Sequence, residues 1–406
     1  MIIDALGWNL GQSFISPQTI IPMFIVRLTG SNLILGLVVA IQSLGQLLPQ
    51  LISAHRLEKL HVKKYFVTFM GIIFARLPYI ILAVMIFTHP SPFLILIIFL
   101  ICWTVSNFST GIIMPAYMSL FGKSVPFKLR GRVTGIGSSI GTFLAVLGAY
   151  LAKIFLEKST SLNGYAWCFV TGFIILTVTI IPLAFTDEPE EVKKEENPDL
   201  HLFLKGLFSS IRENTQFIRY LFLQISMQAG YVGVAFITSY AVNRLGASEG
   251  MIAVCTAVLM GFTALGSLLF GFIGDRKGYR LVFILAALAS VAAYGISALY
   301  PNLYIIYGVY ALSGLLLGCI VINHNMTFDY CSEEQYTTFP AIVFTANMPV
   351  RVLFPLLAGF LADAFDLRIV FIIITASSFI GLILALFFVR EPRLLQVSED
   401  ADTSSV

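Results

Sequence analysis

The chain has 406 residues, 58% of them hydrophobic and only 12% charged, with a mean hydropathy of +0.88. No water-soluble globule carries that balance, and a formal net charge of +3 offers no polybasic surface for nucleic acid. Apolar runs of about 20 residues or more recur along it, each able to cross a ~30 Å hydrocarbon core as a helix, so the fold class is an all-α polytopic membrane protein.

Twelve spans are predicted, at 2–26, 33–53, 65–87, 92–119, 133–156, 165–186, 217–242, 249–272, 280–299, 303–328, 340–363 and 368–389. The first reads as a retained span rather than a cleaved leader. MIIDALGWNLG lacks a basic start, and Trp8, Asn9 and Gln12 interrupt its apolar stretch. Gln12, Ser16 and Thr19 follow at i, i+4, i+7, which on one continuous helix is a single face. In span two Gln42, Gln46 and Gln50 form a stripe, read as structural contact between halves. Arg76 sits inside span three and is read as structural too. Span four repeats the polar spacing with Trp103, Asn107 and Thr110. In span five Gly137 and Gly141 have the spacing of a close helix crossing.

The longest polar interval, TDEPEEVKKEENPD at 186–199, divides the spans six and six. After it, Leu200, Phe203, Leu204, Leu207, Phe208 and Ile211 recur at helical spacing, as in a helix lying in the membrane interface. The expected organisation is a six-helix bundle over 1–186, a linker with that interfacial helix over 187–216, a second six-helix bundle over 217–395, and a disordered tail over 396–406. Span seven carries Gln224, Gln228 and Tyr231 on one face, span ten carries Asn323, His324 and Thr327, and span eleven places Arg351 near its middle.

Eighteen of the 25 Lys and Arg residues fall on the loops and tails that share the side of residue 1, and five on the other side. By the positive-inside rule both termini face the cytoplasm. The five cysteines form no CxxC pair and lie near no metal-ligand cluster, so neither a disulfide framework nor a metal site is expected.

The halves repeat weakly: Leu44-Gly45-Gln46-Leu47-Leu48 answers Leu265-Gly266-Ser267-Leu268-Leu269, and Arg27-Leu28 answers Arg244-Leu245. Between spans eight and nine stands GFIGDRKGYR, a glycine followed after three residues by Asp-Arg, one residue, Gly and then basic residues. With twelve spans split by a central loop, the chain resembles the major facilitator superfamily over nearly its whole length. The resemblance implies two pseudo-symmetric six-helix bundles rocking about a central site, with Asp275, Arg276 and Arg280 in a cytoplasmic latch. Arg130 and Arg132 of FKLRGRV are candidates for its far side, the alternative being that all these charges serve topology alone. Ala54 stands where the family's first-half motif has its Asp, and span four lacks the arginine of many proton-coupled members.

The same resemblance implies that spans one, four, seven and ten line the cavity. The candidate substrate-binding residues are therefore Gln12, Trp103, Asn107, Gln224, Gln228, Tyr231, Asn323 and Arg351. Interhelical hydrogen bonding is the alternative role for the amides. Arg351 requires a partner at its depth; Asp4, Asp329 and Asp363 all lie near span ends, so an anionic substrate group, carbonyls, amides or water must serve. His324 is a candidate for proton coupling. The expected function is a secondary active or facilitative transporter of a small polar or amphipathic organic solute, an anionic one among the candidates. Its expected partners are that solute and the lipid bilayer, with no cofactor, no enzyme activity and no nucleic acid. It is expected to act as a monomer in a bacterial plasma membrane. The alternatives are a proton antiporter exporting hydrophobic compounds, and a non-transporting receptor or lipid scramblase on the same scaffold.

Overall fold

A computed structural model describes residues 1–57, 62–125, 127–159, 162–188, 215–300, 302–330 and 338–391. Among these, ten helices are long and apolar enough to cross a membrane. They are span two (Asn32–Leu57), span three (Lys64–Met70 running through Gly71–Arg76 into Leu77–Phe87), span four (Pro92–Ser124), span five (Phe127–Lys158) and span six (Asn163–Ile180 with Ile181–Phe185). The second set is span seven (Thr215–Asn243), eight (Glu249–Lys277), nine (Tyr279–Leu299), eleven (Thr338–Ala364) and twelve (Leu367–Ile383 with Leu384–Phe388). Spans one and ten complete twelve crossings, and each is made of two shorter helices: Ile2–Gln12 with Ile20–Thr29, and Ile306–Gly318 with Ile320–Phe328. The predicted interfacial helix and the C-terminal tail lie outside the described residues.

The break in span one corrects the sequence reading of a single helix. Residues 13–19 are not helical, so Gln12, Ser16 and Thr19 share no helical face. Pro17 explains the interruption, since it has no backbone N–H and its ring clashes with the preceding turn. The exposed carbonyls are bonded locally: Ser13 Oγ donates to Leu10 O at 2.7 Å, and the Ile21 amide to Ser16 O at 2.9 Å. Such satisfaction is what permits irregular backbone at membrane depth.

Packing repeats between halves. Span one lies on spans five and six, two on four, and three on six; likewise seven lies on eleven and twelve, eight on ten, and nine on twelve. The halves meet along spans two and eleven, and along spans five and eight, two contacts that the same pseudo-symmetry interchanges. Large apolar side chains such as Phe93, Phe143, Phe185, Leu268 and Phe387 point outward, a surface suited to lipid and not to water.

A second repeat is visible only in three dimensions. Glu188, after span six, accepts from the Lys63 and Lys64 amides that open span three, at 2.8 and 2.9 Å. Glu391, after span twelve, accepts from the Arg280 amide near the start of span nine at 2.9 Å. Each carboxylate satisfies otherwise orphaned N–H groups and meets the positive end of a helix dipole. Glu188 also pairs with Lys123 Nζ at 3.3 Å, and its side chain is fully buried. Glu188→Gln is expected to lower stability by about 1–3 kcal/mol, read as a fall of several degrees in the detergent unfolding temperature.

Arg76 behaves as a structural residue. It is buried, and its Nε and Nη1 donate to the carbonyls of Leu176 and Gly71, both at 2.9 Å. Asp4 and Tyr117 face it, so this cation has a carboxylate neighbour. The Gly71 carbonyl lies in a π-helical turn, Gly71–Arg76, where the wider hydrogen-bond register makes room for a side chain.

Candidate functional site

Polar residues of spans seven, ten and eleven converge on a small cavity of about 90 Å³. Its polar lining is Gln224, Gln228, Thr327, Asn347 and Arg351, and its apolar wall includes Ile320, Val343 and Phe344. Arg351 Nε donates to Gln228 Oε1 at 2.7 Å. Gln228 in turn donates from Nε2 to the Gln224 carbonyl at 3.2 Å, and Gln224 Nε2 donates to the Tyr220 hydroxyl at 2.6 Å. Tyr220 and Thr327 share a hydrogen bond of 3.0 Å, which ties span seven to span ten. This ladder fixes the amides and hence the guanidinium.

Three of the predicted residues, Gln224, Gln228 and Arg351, are therefore brought together. Tyr231 lies one helical turn beyond, its hydroxyl beside the Cys319 thiol. Asn323 and His324 stand on the second helix of span ten, but their side chains lie outside the described residues. Asn347 was missed by sequence reasoning, although it precedes Arg351 by one helical turn and so shares its face.

The first-half residues are arranged differently. Trp103 Nε1 donates to the Val38 carbonyl at 2.9 Å and its ring stacks on Phe99, so it joins spans two and four instead of facing a cavity. Asn107 donates to Trp103 O at 2.8 Å and accepts from Gln46 Nε2 at 3.4 Å. Gln46 thus bonds within its own half, which corrects its reading as a contact between halves. Gln12 ends the first helix of span one, half-buried.

Above the pocket, at the face opposite residue 1, the halves are bonded shut. Asp363, at the end of span eleven, accepts from Ser31 Oγ at 2.7 Å, the Asn32 amide at 2.8 Å, Asn32 Nδ2 at 2.9 Å and the Leu33 amide at 2.9 Å. One carboxylate thus closes the N-terminus of span two from the other half. At the symmetry-related place Glu157 of span five lies over Gly250, where span eight begins, so tightly that a methyl there would overlap its carboxylate. Thr238 donates to the Gln18 carbonyl at 2.7 Å, Thr256 to Thr19 Oγ1 at 2.7 Å, and Ser239 to Asn32 Oδ1. Arg27 pairs with Glu249 at 3.2 Å. Gly36 and Gly359 let the helices touch: a Cβ on either would overlap the carbonyl of Pro355 or Asn32 respectively.

The family model described as Major Facilitator Superfamily matches this chain over residues 7–242 and 221–404. The chain belongs to the major facilitator superfamily. Among curated relatives, a multi-drug resistance efflux pump, PmrA of Streptococcus pneumoniae, is 24% identical over 154 residues, 37% of this chain and 39% of the relative. The match thus spans about two fifths of that relative's length. Among solved structures, a bacterial homologue of the human lysosomal transporter Spinster, inward-facing and unoccupied, superposes with a TM-score of 0.69 at 15% identity, covering 95% of both chains. A D-xylose–proton symporter superposes with a TM-score of 0.67 at 16% identity, over 96% of this chain and 97% of that one. At such identities the structures establish the shared fold.

Among the described residues, the superfamily loop motif makes these contacts in its own half. Arg280 Nε donates to Ala385 O at 2.8 Å and an Nη donates to Leu386 O, closing the last turn of span twelve. Arg276 lies 4.1 Å over the Phe272 ring. Asp275 accepts from the Tyr279 hydroxyl at 3.4 Å. The side chains of Arg130 and Arg132, the other side of the expected latch, lie outside the described residues.

Proposed function

We propose that this chain carries one small polar or amphipathic organic solute across a membrane by alternating access, its two six-helix halves rocking about the pocket of spans seven, ten and eleven. The observation that carries the reading is a face closed by hydrogen bonds between halves, above a polar pocket held by a fixed amide ladder. Bonds that join opposite halves must break when that face opens, so they define one of two states. The positive-inside count supports cytoplasmic termini, which makes the bonded face the outer one, and the short loops suit a bacterial plasma membrane. The chain works as a monomer, each half serving as the other's partner.

The likeness to a multi-drug resistance efflux pump favours a second reading, export of hydrophobic compounds by proton antiport. A carrier carboxylate at pocket depth would support it, and among the described residues spans one and seven hold none. His324 is the group through which proton coupling would run.

Reconstitution decides among these. Purified protein in liposomes is expected to move a solute chosen from matched anionic, neutral and cationic sets, with cysteines placed at 244 and 275 labelled from opposite sides. Flux unchanged by a pH gradient removes proton coupling through His324. Labelling of both cysteines from one side overturns the topology. Folded protein that moves no solute, or that only flips a fluorescent lipid, selects the receptor or the scramblase.

A further inference from the structure

We infer that the Arg351 pocket takes an amphipathic organic monoanion, a carboxylate with a hydrogen-bond donor next to the charge; this rests on the transport reading above. Arg351 is a cation inside span eleven, and Nε is the one guanidinium nitrogen that is bonded among the described residues, to Gln228. Its two terminal amino groups line the cavity with no hydrogen-bond partner among the described residues, and no described carboxylate pairs with it. The comparison with Arg76 is instructive, since there a carbonyl takes each of two nitrogens and Asp4 supplies the countercharge. An uncompensated cation at this depth favours an incoming anion, leaves a neutral solute without charge pairing and repels a cationic one. A carboxylate fits the paired N–H geometry of a guanidinium better than a point charge does.

Two further atoms refine the class. Gln224 Oε1 and Asn347 Oδ1 are buried acceptors in the same cavity without a hydrogen-bond partner among the described residues, in side chains 0% and 7% exposed. Buried acceptors left empty favour a ligand that donates to them. A cation beside two vacant acceptors therefore reads as a carboxylate whose neighbouring carbon bears a hydroxyl or N–H. Val343, Phe344 and Ile320 provide the surface for an apolar body.

The test is a titration of purified full-length protein in detergent with 3-phenyllactate, 3-phenylpropionate, 3-phenylpropionamide and 3-phenylpropylamine, up to about 10 mM, reading the unfolding temperature. Phenyllactate is expected to stabilise, phenylpropionate to bind about tenfold more weakly, and the amide and amine to give no shift. Arg351→Gln is expected to weaken phenyllactate by about thirtyfold or more while the unliganded unfolding temperature holds. Arg351→Lys, which keeps the charge and loses the Nε bond, is expected to retain weak carboxylate binding. Equal shifts with the amide or amine, no shift with either carboxylate, or carboxylate binding indifferent to Arg351→Gln, each overturns the proposal. If the Gln variant does not fold, the four-ligand comparison on the unsubstituted protein still decides. Transport without carboxylate binding leaves the transport reading standing and removes this one, whereas Arg351-dependent binding without flux does the reverse.

Discussion

Asp363→Asn is expected to swing open the face opposite residue 1. The carboxylate receives four hydrogen bonds from Ser31, Asn32 and Leu33 across the boundary between halves. An amide has one acceptor oxygen and no charge for the helix terminus, so about 2–3 kcal/mol of closed-state stabilisation is lost. A loss of that size moves the open-to-closed ratio by a factor of about 30 to 150. Cysteines beneath the gate should become reactive from the side opposite residue 1, and turnover should fall because return to the closed state becomes the slow step. Because Asp363 lies at a helix end, remote from the pocket, ligand affinity in the open state should change little. Unchanged accessibility from that side in Asp363→Asn would falsify its role as a clasp.

Gly36→Ala and Gly359→Ala are expected to have the larger effect. In each case the added methyl meets a backbone carbonyl, Pro355 O or Asn32 O, and backbone cannot rotate aside as a side chain can. The helices must separate to admit it, at an overpacking cost of about 1–3 kcal/mol for each site, and the Asp363 bonds beside it lengthen in turn. The doubly substituted protein should fold, bind ligand from the face opposite residue 1 and transport at least tenfold more slowly. Gly308, with open space where its Cβ would stand, is the control, and Gly308→Ala should leave transport intact. Should the Gly36 variant close as readily as the control, the tight crossing of spans two and eleven is not what seals this face.

Much of the architecture was legible beforehand because hydropathy acts locally. A run of apolar residues spans lipid whatever its neighbours are. The break in span one was less legible: Pro17 marks the place, but a proline also fits within a bent continuous helix. What decides is whether freed carbonyls find partners, and one of them, Gln18 O, finds Thr238 in the other half. Helical spacing placed Gln224 and Gln228 correctly on one face. It placed Trp103 and Asn107 on one face as well, yet that face turns toward span two, because spacing gives a direction relative to the helix and not to the bundle. Arg351 announced its need for a partner, and Gln228, separated by 123 residues, was on the sequence-derived roster without being joined to it. Asp363 looked like an ordinary boundary acid. Its importance arises from which helix end lies opposite, and that is a property of the assembled halves.

The interruption of span one separates two loyalties. Its first helix, Ile2–Gln12, rests on spans five and six of its own half, while its second, Ile20–Thr29, also touches spans seven and eight of the other. A straight rod would act as a lever, and tilting its far tip would wrench its near end. Residues 13–19, unwound between them, are where a few backbone torsions could absorb such a rotation. The mouth can thereby be reset while the floor of the first bundle stays still.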